Sequence, residues 1–356
     1  MLGLLGTTVP LAACSKASSD APAPTASAAA APASAPPAPT GATATATGAV
    51  PRRRLGRTGV EVSAIGLGGY HLGEASDEAE AARIVHRALD GGITFLDNCW
   101  DYHSGKSEAW MGKALEGGKR QSAFLMTKMD GRTKKACTEQ LEQSLKRLRT
   151  DHIDLVQMHE VIRMEDAEKI FAAGGAMEAL IEARKAGKIR FIGFTGHKSP
   201  AIHLHMIDEA EKNYFDFDTV QMPLNVLDAH YESFEQRVLP RLVQKQIGVL
   251  GMKSICSGKA LDAGVTAEEC LRYALSLPTS VVITGCEKVE RVDQAIRVAS
   301  TFQPLSPAER EQLLARTAPH AGSGKLEPFK TSDKHDGTAK NPHWLTTADA
   351  TDKSKG

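Results

Sequence analysis

The chain has 356 residues, with 43 basic and 43 acidic side chains, so it carries no net charge of either sign. That balance removes any general electrostatic case for nucleic acid or an anionic membrane surface, and no nucleic-acid partner is expected. The six cysteines are scattered without a CxxC pair, which supplies neither a disulfide framework nor a zinc or iron–sulfur ligand set; no metal is expected.

Met1 to Ala13 is small and apolar and ends in Leu11-Ala12-Ala13-Cys14. This resembles a bacterial lipoprotein signal, which implies a lipid anchor on Cys14 and a place at the cell envelope. No Lys or Arg precedes the apolar stretch, as secretory signals require, so a cytoplasmic protein stays the alternative. Residues 15–50 are almost wholly Ala, Pro, Ser, Thr and Gly, and such a stretch cannot bury enough surface to offset its ordering entropy. It reads as a disordered linker. The composition is globular from there on, and the expected division is signal 1–14, linker 15–50, barrel 51–318 and a polar tail 319–356.

Arg53–Val62, with its Gly56-Arg57-Thr58-Gly59 turn, predicts a hairpin that plugs the N-terminal mouth of a barrel. The Arg52–Arg54 cluster reads as a solvated face. Eight short apolar runs follow: Ala64–Gly68, Ile93–Leu96, Ala123–Thr127, Ile153–Gln157, Ile189–Phe194, Thr219–Met222, Gly248–Met252 and Val281–Thr284. Between them lie stretches with helical apolar spacing, such as Ala79–Ala88, Lys134–Leu148, Met177–Arg184 and Val289–Ala299. Gly91-Gly92 and Gly187 mark helix stops. Eight alternating units predict parallel strands closed into an α/β (β/α)₈ TIM barrel. A doubly wound open sheet is the alternative, but Gly66-Leu67-Gly68-Gly69 lacks the GxGxxG spacing expected after its first strand.

In such a barrel the active site forms at the C-terminal ends of the strands. Asp97 follows the second run and Tyr102 lies in its loop; Lys128 ends the third run and His159 the fourth. Taken singly each is unremarkable, but together they face one mouth. A free tyrosine has a pKa of about 10, and a nearby ammonium is expected to lower it, with the carboxylate holding the lysine. Tyr102 then acts as general acid while His159 orients a carbonyl.

At these residues the chain resembles the aldo/keto reductase family. The resemblance runs from Arg54 to about Thr301 through Leu55–Ser63, Phe95–Tyr102, Ser107-Glu108, Met111–Leu115, Thr127-Lys128, Asp151–Leu155, Gln157–His159 and Gly187–Gly193. It implies the catalytic set Asp97, Tyr102, Lys128 and His159, and a nicotinamide dinucleotide, NADP(H) with NAD(H) possible. The cofactor contacts it implies are Gly69, Tyr70, Asp97, Thr195, Gln221, Met252, Lys253, Gly285, Lys288, Arg291 and Gln294. The family's Ser-Asn pair is Thr195-Gly196 here, and Met252 replaces the usual stacking aromatic. Lys288 and Arg291 favour a 2′-phosphate and Glu287 does not, so the dinucleotide preference stays open.

Trp100, His103 and the Val161–Gly174 loop are expected to shape a pocket for a small carbonyl substrate. Tyr70 either lines it or packs, and His197 is either a cofactor contact or a loop residue. His203 and His205, two apart on one helix, face different ways and make a poor metal pair. Trp344-Leu345 offers an apolar anchor with which the tail can fold back over the mouth. A cofactor-binding sensor with little turnover is the competing function; a metal-dependent hydrolase would need further ligands at the strand ends, and the first strand has no His-x-His. Neither substrate nor oligomeric state is readable.

Overall fold

The computed structural model describes residues 48–351, so Cys14, the lipoprotein-like segment and most of the linker lie outside the described residues. A two-stranded antiparallel hairpin, β1 (Arg52–Arg54) and β2 (Glu61–Ser63), precedes the barrel. The barrel strands are β3 (Ile65–Gly68), β4 (Phe95–Asp97), β5 (Phe124–Met129), β6 (Ile153–Met158), β7 (Ile189–Thr195), β8 (Thr219–Pro223), β9 (Gly248–Met252) and β10 (Val281–Gly285). Each pairs in parallel with the next, and β10 closes on β3 through Val282↔Ile65 to Gly285↔Gly68. All eight expected strands are present, so the chain forms a (β/α)₈ barrel.

Boundaries move for local reasons. Ile93 donates its N–H to Ala88 at 2.8 Å, closing the preceding helix, so the β4 ladder begins only at Phe95. That helix, Glu78–Asp90, is capped by Asp77, whose carboxylate accepts from the Glu80 N–H, and it stops at Gly91-Gly92, where Gly92 takes φ +88°. Thr133 caps Lys134–Arg147 in the same way.

Inside the barrel, Leu55 and Val62 of the hairpin pack with Phe95, Phe124, Met126, Leu155, Leu250, Val281 and Ile283. Phe95 and Phe124 stack with ring centroids 5.0 Å apart. The hairpin therefore plugs the lower mouth. Gly56 is required there, because a Cβ on it would sit 2.4 Å from the Gly248 nitrogen. Arg53 departs from the expected solvated face: its guanidinium donates to the carbonyls of Thr279 (3.0 Å) and Leu275 (2.7 Å), and burial lowers its pKa to about 10.

The tail differs from a loose appendage. Helix Pro307–Ala321 runs across the expected 318/319 boundary, with Thr317 fully buried. Beyond it, Lys330 is buried between Asp228 (2.7 Å) and Glu327 (3.0 Å). Trp344 is buried edge-on to Trp100, with centroids 6.0 Å apart. No helix among the described residues is long and apolar enough to cross a membrane.

Candidate active site

The upper ends of the strands surround a cavity of about 1090 Å³. Asp97 closes β4 and Lys128 stands in β5, so register places their side chains over the same mouth. The Lys128 ammonium is buried, and a buried charge persists only when paired and hydrogen-bonded. It forms a short ion pair with Asp97 and donates to the Asn98 carbonyl at 2.7 Å and the Tyr102 hydroxyl at 3.3 Å. Tyr102 lies edge-on to Tyr70 (5.4 Å) and to His159 (5.8 Å). Asp97, Tyr102, Lys128 and His159 all line the cavity.

The electrostatics correct one expectation. Burial holds the Tyr102 phenol well above its ordinary pKa, and Asp97, Cys99, Asp101 and Glu160 push it the same way. Lys128, shared between Asp97 and the Tyr102 hydroxyl, does not offset these contributions in the resting site. Tyr102 is thus fixed as a neutral phenol. For His159, burial alone would lower the pKa, but Asp130 and then Asp101 overcome it and hold the imidazole above its usual value.

His159 sits in a crowded setting. Its Nδ1 lies 2.9 Å from Asp130 Oδ1, 3.2 Å from Cys99 Sγ and 3.5 Å from Asp101 Oδ1. Burial, then Asp130, raises the Asp101 carboxyl to about 7. Asp101, Asp130, Cys99 and Glu160 were not singled out from sequence. Asp130 stands two residues after Lys128 and Glu160 directly after His159, which was the available signal.

Of the residues expected to hold a cofactor, Tyr70, Asp97, Thr195, Gln221, Met252, Lys253, Gly285, Arg291 and Gln294 line the cavity. Gln221 donates weakly to Asp97 at 3.4 Å, and its Oε1 is buried without a partner. An orphaned acceptor in that position suits an incoming amide N–H. The Thr195 hydroxyl lies 3.9 Å from the Met252 sulfur beside it. Arg291 and Gln294 stand in the first turns of helix Val289–Ser300, with Glu287 3.8 Å from the Arg291 guanidinium.

Other expectations are corrected. Gly69 packs beneath the cavity, where a Cβ would meet the Asp97 carbonyl at 2.5 Å, and Gly68 lines the cavity in its place. Lys288 is the N-cap residue of helix Val289–Ser300 and stays out of the lining. Trp100 is fully buried, donating its indole N–H to Gln143 at 2.9 Å, and supports Trp344 instead of facing a substrate. His103 does line the cavity, at φ +53°, with its Nε2 2.8 Å from the Tyr70 carbonyl oxygen. The Val161–Gly174 segment holds helix Met164–Phe171 and contributes none of the lining.

The tail takes that role. Gly337 and Thr338 donate their N–H groups to Glu160 at 2.9 and 2.7 Å, and Asp336 pairs with His197 (3.0 Å) and Lys198 (2.6 Å). His197 both lines the cavity and anchors the tail. Lys334, His335, Lys340, Asn341 and Trp344 face the cavity. His203 is buried 3.3 Å from the Gln221 carbonyl oxygen, while His205 pairs with Glu168 on the surface.

Residues 64–269 match the family model described as the aldo/keto reductase family. The aldo-keto reductase YhdN of Bacillus subtilis is 33% identical over 227 residues, covering 60% of this chain and 63% of that protein. The uncharacterized oxidoreductase YrpG of the same organism is 30% identical over 224 residues, covering 57% of this chain and 66% of its own length. The alignments thus span just under two thirds of these relatives. Among solved structures, the holo form of aldo-keto reductase AKR11C1 from Bacillus halodurans superposes with a TM-score of 0.62 at 24% identity. It covers 74% of this chain and 95% of that one, a likeness of fold.

Proposed function

Because this chain belongs to the aldo/keto reductase family, we propose that it interconverts an aldehyde or ketone and the corresponding alcohol by hydride transfer. The observation that carries the reading is the buried Lys128 ammonium shared between Asp97 and the Tyr102 hydroxyl, with His159 across the same mouth. A nicotinamide dinucleotide, when bound, supplies or accepts the hydride. Thr195 and the orphaned Gln221 carbonyl would hold its carboxamide, with Met252 against the ring and Lys253, Gly285, Arg291 and Gln294 along the rest. NADP(H) is the first expectation, since Arg291 lines the cavity, although Glu287 beside it weakens that preference.

Tyr102 enters the reaction as a protonated phenol and is the general acid. An alkoxide forming at the carbonyl oxygen is a stronger base than the phenolate left behind, so the proton moves toward it. Lys128, 3.3 Å away, then stabilises the phenolate that was unstable in the resting site. His159 turns Nδ1 toward Asp130, which leaves Nε2 for the carbonyl oxygen and fixes its direction.

The test is oxidation of NADPH and of NADH by the purified chain with a panel of small aldehydes and quinones, beside Tyr102→Phe. Turnover should fall by roughly 10²–10⁴ in the variant with cofactor binding retained. Equal turnover in the variant would remove Tyr102 from the role. Tight cofactor binding with no turnover on any carbonyl would replace the reductase reading with that of a sensor.

A further inference from the structure

We propose that Cys99, Asp101, Asp130 and His159 bind one divalent transition metal of the zinc class around the Nδ1 edge of His159. One donor atom from each of the four lies within 4.8 Å of all the others. Three of the separations are 2.9, 3.2 and 3.5 Å, measured from His159 Nδ1 to Asp130, Cys99 and Asp101. Tetrahedral zinc with bonds of about 2.0–2.3 Å holds its ligands roughly 3.3–3.7 Å apart, so small side-chain adjustments admit the ion.

Hydrogen bonding leaves this cluster incomplete. Nδ1 has one hydrogen to give, and Asp130 Oδ1 is its nearest acceptor. Asp101 Oδ1, 3.5 Å from His159 Nδ1, and Asp130 Oδ2 are buried without a hydrogen bond, and Asp130 as a whole is inaccessible. The neighbouring cations are engaged elsewhere. Arg132 donates to Asp166 at 3.1 Å and to the carbonyls of Asp130, His159 and Glu160. Lys128 is held by Asp97, Asn98 and Tyr102. Two carboxylates and a thiol thus share a single imidazole.

The donor set also selects among metals. A thiolate with an imidazole favours zinc and its transition-metal neighbours over magnesium or calcium, which take oxygen. Access is available, because Asp101 and His159 line the cavity. Sequence spacing hid the group, since its members come from the β4 loop, the end of β5 and the end of β6. If the reductase reading holds, a metal on Nδ1 fixes His159 with Nε2 toward the carbonyl; the site itself does not depend on that reading.

Cobalt(II) titration of the full chain, freed of metal with a chelator, reads the site directly. One equivalent should bind with the absorption of tetrahedral cobalt and a thiolate-to-cobalt band, and zinc(II) should displace it. Competition against a chromophoric chelator then gives the zinc affinity. Cys99→Ser should abolish the thiolate band, and Asp130→Asn should weaken zinc at least tenfold, with circular dichroism confirming that both fold. Absence of the thiolate band in the wild-type chain, or equal zinc affinity in wild type and both folded variants, would overturn the proposal. Tyr102→Phe should bind the metal unchanged, so a failed metal site and a failed reductase reading give separate results.

Discussion

At the lower mouth of the barrel, the charges that enter meet backbone oxygens. Arg53 donates to Thr279 and Leu275, Arg57 donates to the carbonyls of Lys245 and Phe217, and Leu55 and Val62 fill the space between. At the upper mouth the pattern is reversed. Asp101, Asp130 and Gln221 each keep a buried oxygen without a partner, Tyr102 is held as a high-pKa phenol, and His103 and Glu160 take positive φ. A buried polar group left unsatisfied costs about 1–3 kcal/mol. The lower end has exceptions, with Arg120 Nε unpartnered and Gln246 at φ +55°, but the unmet carboxylate oxygens gather at the upper end, where the rest of the fold offsets their cost.

Substitutions at the two mouths should separate these tasks. Tyr102→Phe gives the largest effect in one direction: the roughly 10²–10⁴ loss of turnover described above, with unfolding free energy within about 1 kcal/mol of wild type. Leu55→Ala gives the reverse, a loss of about 2–5 kcal/mol in denaturant unfolding with turnover per folded molecule retained. A collapse of turnover in well-folded Leu55→Ala would break the division. Glu160→Gln weakens the acceptor for the Gly337 and Thr338 N–H groups, and about 1–2 kcal/mol of local stability should be lost. Hydrogen exchange at residues 332–348 should rise selectively. Uniform protection across the chain would show that Glu160 does not hold the tail.

The smallest effect concerns pH. Glu327 and Asp228 share the single ammonium of Lys330, and burial, with Asp228, raises the Glu327 carboxyl to about 7. A carboxyl with a raised pKa binds its proton more tightly when folded. That contribution is complete below the unfolded value near 4.5 and is lost as pH rises through about 7. Glu327→Gln should remove this loss, leaving Tm near wild type at pH 5 and raising stability at pH 8 by roughly 1 kcal/mol. An unchanged pH slope in the variant would mean that Glu327 does not titrate in this range.

Much of this architecture is legible in sequence, and the exceptions share a cause. The strands read correctly because Val, Ile, Leu and Phe runs stop at glycines or caps, and a buried parallel strand has few other spellings. Asp97, Lys128 and His159 read as site candidates because strand ends are countable. Trp100 did not read correctly, since nothing local shows that Gln143 and Trp344 claim its two faces. Glu160 and Thr338 lie 178 residues apart and meet only after the tail returns. The pKa of Tyr102 failed for a similar reason: a motif shows the lysine beside it but not the burial around it.

The pairing of β10 with β3 also sets a schedule for synthesis. Ile65 waits for Val282, more than two hundred residues later, before the ring can close. At translation rates of about 5–20 residues per second, the β3 edge stays open for roughly ten to forty seconds. Open strand edges template pairing with other chains. Nascent chains of this protein should therefore depend on chaperone shielding during that interval, and the released barrel should no longer need it.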